Sequence, residues 1–348
     1  MIDIFAKNIQ QLEVLFTQVG IERFRAKQVF HWLYERKVFD FHQMNNIGKQ
    51  TQTKLAENFT ILMNDIGIIQ TLKSKDRNTY KSLLNFADNN TCETVLMCHD
   101  YGNSVCVSSQ IGCAMGCSFC ASGLNGFIRN LSSAEMLAQV MHFATKLQDE
   151  QKRISHVVIM GSGEPLLNLK EVLQFIKLLH DPNAFNISYR NITLSTSGIV
   201  PAIKTLQAES LPINLAISLH ATTDEKRSSI MPINKTYPLT ELLSATKEYA
   251  NVSGRQVTYE YILINGFNDT LEDAARLIEL LSAHTAVVNL IPFNDVKEHS
   301  HIQTPIKRAQ SFKDYLQKHG TPATIRKEMG ADINAACGQL RNKHIDTE

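Results

Sequence analysis

The sequence predicts an α/β protein built on parallel strands, and three observations lead to that class. From about residue 130 onward, short β-rich runs alternate with helical stretches. The runs are apolar almost throughout, as strands covered on both faces are. The first 110 residues have two other textures, helical and then finely alternating, which set them apart from the repeating part. Repeated βα units of this kind form either an open sheet or a barrel.

The elements follow in order. In "FRAKQVFHWLYER", Phe24, Phe30, Leu33 and Tyr34 fall near one helical face with basic residues between them. "IGKQTQTKLAENF" repeats that pattern more weakly. From Ile66 to Gln110, the short strands "IGIIQTLKS", "TYKSLLNF", "ETVLMC" and "SVCVSSQ" are separated by turns such as "DNN" and "DYGN", which predicts an antiparallel meander. "LSSAEMLAQVMHFATKL" opens on a capping box, Ser132 with Glu135, in which side chain and backbone satisfy each other's free groups. Six strands are then expected: "HVVIM" (156–160), "NITLST" (191–196), "INLAISL" (213–219), "VTYEYILI" (257–264), "VVNLI" (287–291) and "ATI" (323–325). Helices lie between them, such as "TLEDAARLIELLSAH", with Leu271, Ala274, Ala275, Ile278 and Leu281 at helical spacing.

Composition excludes some functions. The chain has 348 residues, 43% hydrophobic and 20% charged, with a net charge of +1. Such a balance carries no bulk nucleic-acid footprint, so any basic surface must be local. No apolar run is long enough for a membrane span, and the N-terminus lacks a secretory apolar segment. Seven cysteines are an odd number in a chain too large to need stapling. A reducing, cytoplasmic setting is expected, where clustered cysteines bind metal or do redox work.

Three of those cysteines form "CAMGCSFC": Cys113, Cys117 and Cys120, a C-x3-C-x2-C spacing. One short loop can wrap three thiolates around one object. A structural zinc needs a fourth ligand, from Cys106, Cys98 or a distant histidine. A plain ferredoxin cluster also uses four cysteines. A [4Fe–4S] cluster held by three leaves one iron open, able to chelate S-adenosylmethionine and cleave it reductively to a 5′-deoxyadenosyl radical. This last spacing resembles that of the radical-SAM superfamily, with Phe119 before the final cysteine and the loop at the end of the first core strand. "IMGSGEPLLN" follows the next strand. Its glycines let backbone approach a ligand, but Leu166 stands where a dinucleotide fingerprint has glycine. It resembles the superfamily's motif for the amino end of S-adenosylmethionine. Of the other cysteines, Cys92 and Cys98 read as small buried hydrophobes. Cys337, in the small-residue segment "DINAACGQL", reads equally as core filler or reactive thiol.

The longer motifs carry a family. "FRAKQVFHWLYE", "ETVLM", "YGNSVCVSSQIGCAMGCSFCAS", "GFIRNL", "MGSGEPLLN", "TLSTSG", "AISLHA", "MPINKTYP", "NLIPFN" and "DINAACGQL" together resemble the RlmN/Cfr group, nearly end to end. These are radical-SAM enzymes that methylate an adenosine in RNA. The resemblance implies a partial (β/α)6 barrel with a small N-terminal helical domain and a β-extension. It implies that Cys337 takes a methyl group from one S-adenosylmethionine, and that a second such molecule at the cluster provides the radical that activates that methyl. It implies that Cys106 resolves the enzyme–RNA link through a transient disulfide with Cys337, and that Glu93 accepts a proton. Without the resemblance, Glu93 reads as a surface strand carboxylate. Gly163, Glu164, Ser195, Ser218, Leu219, His220 and Asn294 match positions lining the S-adenosylmethionine pocket. Two residues depart from the family pattern: Ser162 where methionine is common, and Asn334 where aspartate is usual.

The resemblance further implies 23S ribosomal RNA as substrate, with transfer RNA beside the anticodon, and an external electron donor such as flavodoxin or ferredoxin. RlmN-type C2 chemistry is expected over Cfr-type C8 chemistry, since "HWLYERKVFDFHQMNNIGK" and Pro165-Leu166-Leu167 look more like the former. A non-catalytic zinc-containing RNA-binding protein is the alternative from another class. The expected organisation is an RNA-contacting helical domain (1–65), a β-extension (66–98), the core barrel (99–330) and a tail (331–348), in a monomer. Lys73, Lys75, Arg77 and Lys81, with Arg25, Lys27 and Arg36, are local candidates for phosphate contact, although any one of them taken singly reads first as a solvated side chain.

Overall fold

The computed structural model describes residues 1–294 and 301–340. In chain order, a short strand β1 (Ile2–Asp3) is followed by helices α1 (Ile9–Gln18), α2 (Arg25–Tyr34) and α3 (Lys49–Asn58) and by β2 (Phe59–Thr60), which pairs in parallel with β1. The meander is β3 (Gly67–Lys73), β4 (Thr79–Asn85), β5 (Thr91–His99) and β6 (Gly102–Cys106). A small hairpin, β7 (Gln110–Gly112) with β8 (Phe127–Asn130), carries the cysteine loop. Then come α4 (Ser133–Gln148), β9 (Ile154–Ile159), α5 (Leu169–His180), β10 (Ile192–Thr196), α6 (Val200–Ala208), β11 (Asn214–Ser218), α7 (Asp224–Ile230) and α8 (Leu239–Ser253). The chain continues through β12 (Val257–Leu263), α9 (Leu271–Leu281), β13 (Ala286–Pro292), α10 (Ile306–Lys318) and β14 (Ala323–Ile325).

One ten-stranded sheet runs β14-β13-β12-β11-β10-β9-β6-β5-β4-β3. From β6 to β14 every pairing is parallel, and from β6 to β3 every pairing is antiparallel. Strands β6, β9, β10, β11, β12 and β13 each feed a helix, giving the six βα units of a partial barrel, with β14 added at its edge. The meander therefore continues the barrel sheet. One apolar cluster extends from Ile4 and Phe5 through the helices and strands to Ala323, so the N-terminal helices share the barrel's core.

Every expected core strand is present, with ends moved by one or two residues. The stretch "SVCVSSQ" differs. It leaves the sheet after Cys106 and pairs again only from Gln110, as the stalk of the cysteine loop. The capping box at α4 forms as expected: the Ser132 amide donates to Glu135 Oε2 at 2.8 Å and the Glu135 amide to Ser132 Oγ at 3.2 Å. Two apolar assignments fail. Phe24 lies outside α2 as its N-cap and is 55% exposed, with the Arg25 guanidinium over its ring at 4.5 Å. Leu271 is exposed in the first turn of α9, and Leu277 takes the buried place instead.

Candidate active site

Parallel strands deliver their following loops to one end of a barrel, where side chains from distant parts of the chain converge. Here Cys113, Cys117 and Cys120 line a cavity of about 160 Å³ together with Gly163, Glu164, Ser195, Ser218, His220, Asn294 and Cys337. A second cavity of about 370 Å³ shares Cys120, Asn294 and Cys337 with the first and adds Cys106. Leu219 lines neither: it is fully buried, with its amide donating to the Glu260 carbonyl. Glu93 also lies outside both cavities.

Burial raises all three loop thiols, Cys113 to about 11, and each neighbouring sulfur adds to the effect at Cys117. Three such thiolates are not stable side by side without a cation to share. The described residues hold no group of three or more His, Cys, Asp or Glu side chains arranged around one metal ion. The loop supplies three thiolates, one fewer than a structural zinc or a four-cysteine ferredoxin cluster takes. Spacing, burial and the adjoining cavity therefore fit a cluster.

Glu164 is buried and already engaged. Its carboxylate accepts from the Leu166 amide at 3.0 Å, Thr196 Oγ1 at 2.7 Å, and the amide and Oγ of Ser197, each at 2.7 Å. It braces β10 against the "GSGEP" turn, leaving backbone and serine groups to face the cavity. Gly163 is at φ +103, and a Cβ there would stand 2.5 Å from Gln110 Cβ, so only glycine fits this approach. His220 holds φ +59, a rare region for a residue with a Cβ, as at many functional sites. Its Nδ1 accepts from the Ile262 amide at 3.0 Å, burial lowers its pKa to about 3, and its ring meets the edge of Phe119 at 4.8 Å.

The segment carrying Cys337 is held from two sides. Asn294 Nδ2 donates to the Cys337 carbonyl at 3.0 Å, the Ala121 amide to the Gly338 carbonyl at 2.7 Å, and Ser122 Oγ to the Leu340 carbonyl at 3.0 Å. From the meander, Lys81 Nζ donates to the Asn334 carbonyl at 3.1 Å and the Lys75 amide to Asp332 at 2.8 Å. Gly338 packs so closely that a Cβ would lie 3.2 Å from the Phe119 carbonyl. Asn334 is left-handed at φ +51, a conformation asparagine tolerates well. Ser162 is buried, its Oγ 3.2 Å from Ser122 Oγ.

The readings of Glu93 as a surface carboxylate and of Lys81 as a phosphate contact are corrected. Glu93 is a buried carboxylate paired with Lys81 Nζ at 2.8 Å, and both side chains are nearly inaccessible. Lys81 is accordingly no phosphate contact. Both faces of β4 are covered, so alternation gives no solvent side. Arg326 was missed. It lines both cavities, and the thiols of Cys337 and Cys106 and the Glu260 carboxylate all favour its charge, Cys337 most. The available signal was its position, the first charged residue after the last strand.

Fold and cysteine loop together define a radical-SAM enzyme, and comparison with known proteins agrees. Residues 107–281 match the radical SAM superfamily, and residues 2–61 match the ribosomal RNA large subunit methyltransferase N-terminal domain. A solved radical SAM methyltransferase from Sphaerobacter thermophilus superposes with a TM-score of 0.95 at 38% identity, over 99% of this chain and 100% of that one. A relative in Clostridium novyi, named as a probable dual-specificity RNA methyltransferase RlmN, is 48% identical over 93% of both chains. Its namesake in Clostridium perfringens is 46% identical over 98% of this chain and 96% of its own. The chain belongs to the RlmN family of radical-SAM methyltransferases. Membership implies a [4Fe–4S] cluster and S-adenosylmethionine, in keeping with the residues described.

Proposed function

We propose that this protein methylates C2 of an adenosine in 23S ribosomal RNA near the peptidyl transferase centre, and likewise an adenosine beside the anticodon of transfer RNA. The observation that carries the reading is that Cys337 lines both cavities, one with the three loop cysteines and the other with Cys106. When bound, the cluster and S-adenosylmethionine supply a primary carbon radical able to abstract hydrogen from a methyl group. Cys113, Cys117 and Cys120 hold the cluster. Gly163, Glu164, Ser195, Ser218, Leu219, His220 and Asn294 hold or brace the pocket beside it.

Cys337 parks the methyl group: its thiolate attacks the methyl carbon and the thioether of the donor leaves. The Arg326 guanidinium lines both cavities with it. After the methylene carbon has joined the adenine ring, one electron leaves the adduct for the oxidised external carrier and Glu93 takes the ring proton, reached once the Lys81 contact opens. The Cys106 thiolate then attacks the Cys337 sulfur: the disulfide forms, the bond from that sulfur to the methylene carbon breaks, and its electron pair stays on the carbon, which takes up a proton to become the methyl group of the freed RNA. An external donor such as flavodoxin or ferredoxin supplies electrons. The helical segment 1–65 grips folded RNA, 66–98 braces the tail, 99–330 houses the chemistry, and 331–348 delivers Cys337. The protein works as a monomer in the cytoplasm; none of its described helices is long and apolar enough to cross a membrane.

Mass spectrometry of nucleosides from RNA treated with the anaerobically reconstituted enzyme tests the reading. The expected product is 2-methyladenosine; mainly 8-methyladenosine would replace it with Cfr-type chemistry. A colourless protein that takes up zinc but no iron would end the enzyme reading altogether. Cys337→Ala should make no methylated adenosine, whereas Cys106→Ala should accumulate protein covalently joined to RNA, visible as a nuclease-sensitive band on denaturing gels.

A further inference from the structure

The β5–β6 turn, His99-Asp100-Tyr101-Gly102, puts an aromatic side chain where loop tips usually carry polar ones. Tyr101 is 68% exposed. Its ring lies flat on His99, centroids 4.6 Å apart and planes 9° from parallel, and His156 of β9 meets it edge-on at 5.4 Å. No other ring among the described residues faces it. Both His99 and Tyr101 line the larger cavity, the one containing Cys106 and Cys337.

We infer that Tyr101, backed by His99, is a stacking platform for an unpaired nucleobase of the RNA next to the adenosine that enters the Cys106–Cys337 cavity. The inference rests on the RNA-methylating reading above and adds a contact to it. Charge alone does not explain binding at this rim. Arg326 and Lys327 stand there, but so do exposed Asp100 and Glu328, and the whole chain carries only +1. With acidic and basic side chains side by side at the rim, short-range contacts must add to affinity, and stacking serves any base because each has a π-face. The platform is preorganised. His99 and His156 hold the tyrosine ring from two directions, so little side-chain freedom is lost when a base lands. Burial first, then His156, Lys327 and Arg326, lower the His99 pKa, so the backing ring is uncharged at neutral pH.

The test measures binding of a transcribed 23S ribosomal RNA fragment to the full, cluster-loaded chain over a range of salt. Tyr101→Ala should weaken binding roughly tenfold with an unchanged salt slope, since it removes stacking and no phosphate contact. Tyr101→Phe should bind as the parent does, and Lys327→Ala should lower the slope by about one. Replacing one nucleoside flanking the target with an abasic ribose should cost the parent as much as Tyr101→Ala, and cost Tyr101→Ala nothing more. Tyr101→Ala within twofold of the parent, a changed slope for it, or penalties that add at every abasic position would overturn the platform. Failure of the parent itself to methylate adenosine would instead remove the RNA reading on which it rests. Because Tyr101 is exposed, superimposable thermal melts should show that the alanine variant is folded.

Discussion

Arg227 is fully buried, yet every hydrogen bond its guanidinium makes ends on an uncharged oxygen. It donates to the carbonyls of Ser197, Ser218 and Leu219 and to Asn234 Oδ1, tying the ends of β10 and β11 together beneath the cavity. Burial lowers its pKa to about 10, which leaves it charged at neutral pH. Arg227→Met should be costly, at about 1–3 kcal/mol for each buried acceptor left without a partner. Thermal unfolding should show a large drop, and Arg227→Lys should recover only part of it. Cys106 makes a second prediction. Burial and the nearby Cys337 raise its thiol to about 12, against the opposing effect of Arg326. Thiolate is the attacking species, so between pH 7 and 9 its amount rises tenfold per unit. With Cys106 in its proposed resolving role, release of covalently held RNA, followed on quenched gels, should accelerate with that slope. His220, near 3, stays neutral across this range and contributes no slope of its own.

At the scale of elements, the β4–β5 pair joins the proposed proton acceptor to the tail. Lys81 on β4 bonds both Glu93 on β5 and the Asn334 carbonyl. Lys81→Met leaves a buried carboxylate without its cation, a loss of about 3–5 kcal/mol, while replacing both partners by neutral residues costs far less. Chemical denaturation should therefore show Lys81→Met well below the parent, with Lys81→Met/Glu93→Gln partly restored. The meander was legible in the sequence, because turn residues punctuate it. The fate of its side chains was not. Alternation marks a solvent face only when one face is wet, and β4 is covered on both. Capping was legible for the opposite reason. A box such as Ser132 with Glu135 is satisfied within four residues and needs no tertiary partner.

At the scale of the molecule, repeated βα order pointed to six parallel strands, and the cysteine spacing marked a loop that lines the cavity at the barrel's end. Whether the units closed towards a barrel came from family likeness, since periodicity is the same for an open sheet. The convergence of Cys106 and Cys337, 231 positions apart, is a tertiary fact that local pattern does not contain. The same holds for the shared interior: Tyr34 of α2 packs against Phe185 at 5.8 Å, and Gln174 Nε2 donates to the Ala6 carbonyl at 3.1 Å. Calorimetry should accordingly record one cooperative transition for the N-terminal helices and the barrel, with no earlier step for the helices.

The contacts at Ala121 and Ser122 have a bearing on quality control. These residues come directly after Cys120, and they hold the carbonyls of Gly338 and Leu340. Whatever settles or unsettles that cysteine is passed along two peptide units to the strand of chain that presents Cys337. A chain that has failed to assemble its cluster should therefore present Cys337, the proposed methyl acceptor, poorly, and waste little methyl donor on a thiol it cannot use. Limited proteolysis should register this as faster cleavage around residues 330–340 in cluster-free protein than in loaded protein. Equal cleavage rates would show that the loop and the tail keep no account of one another.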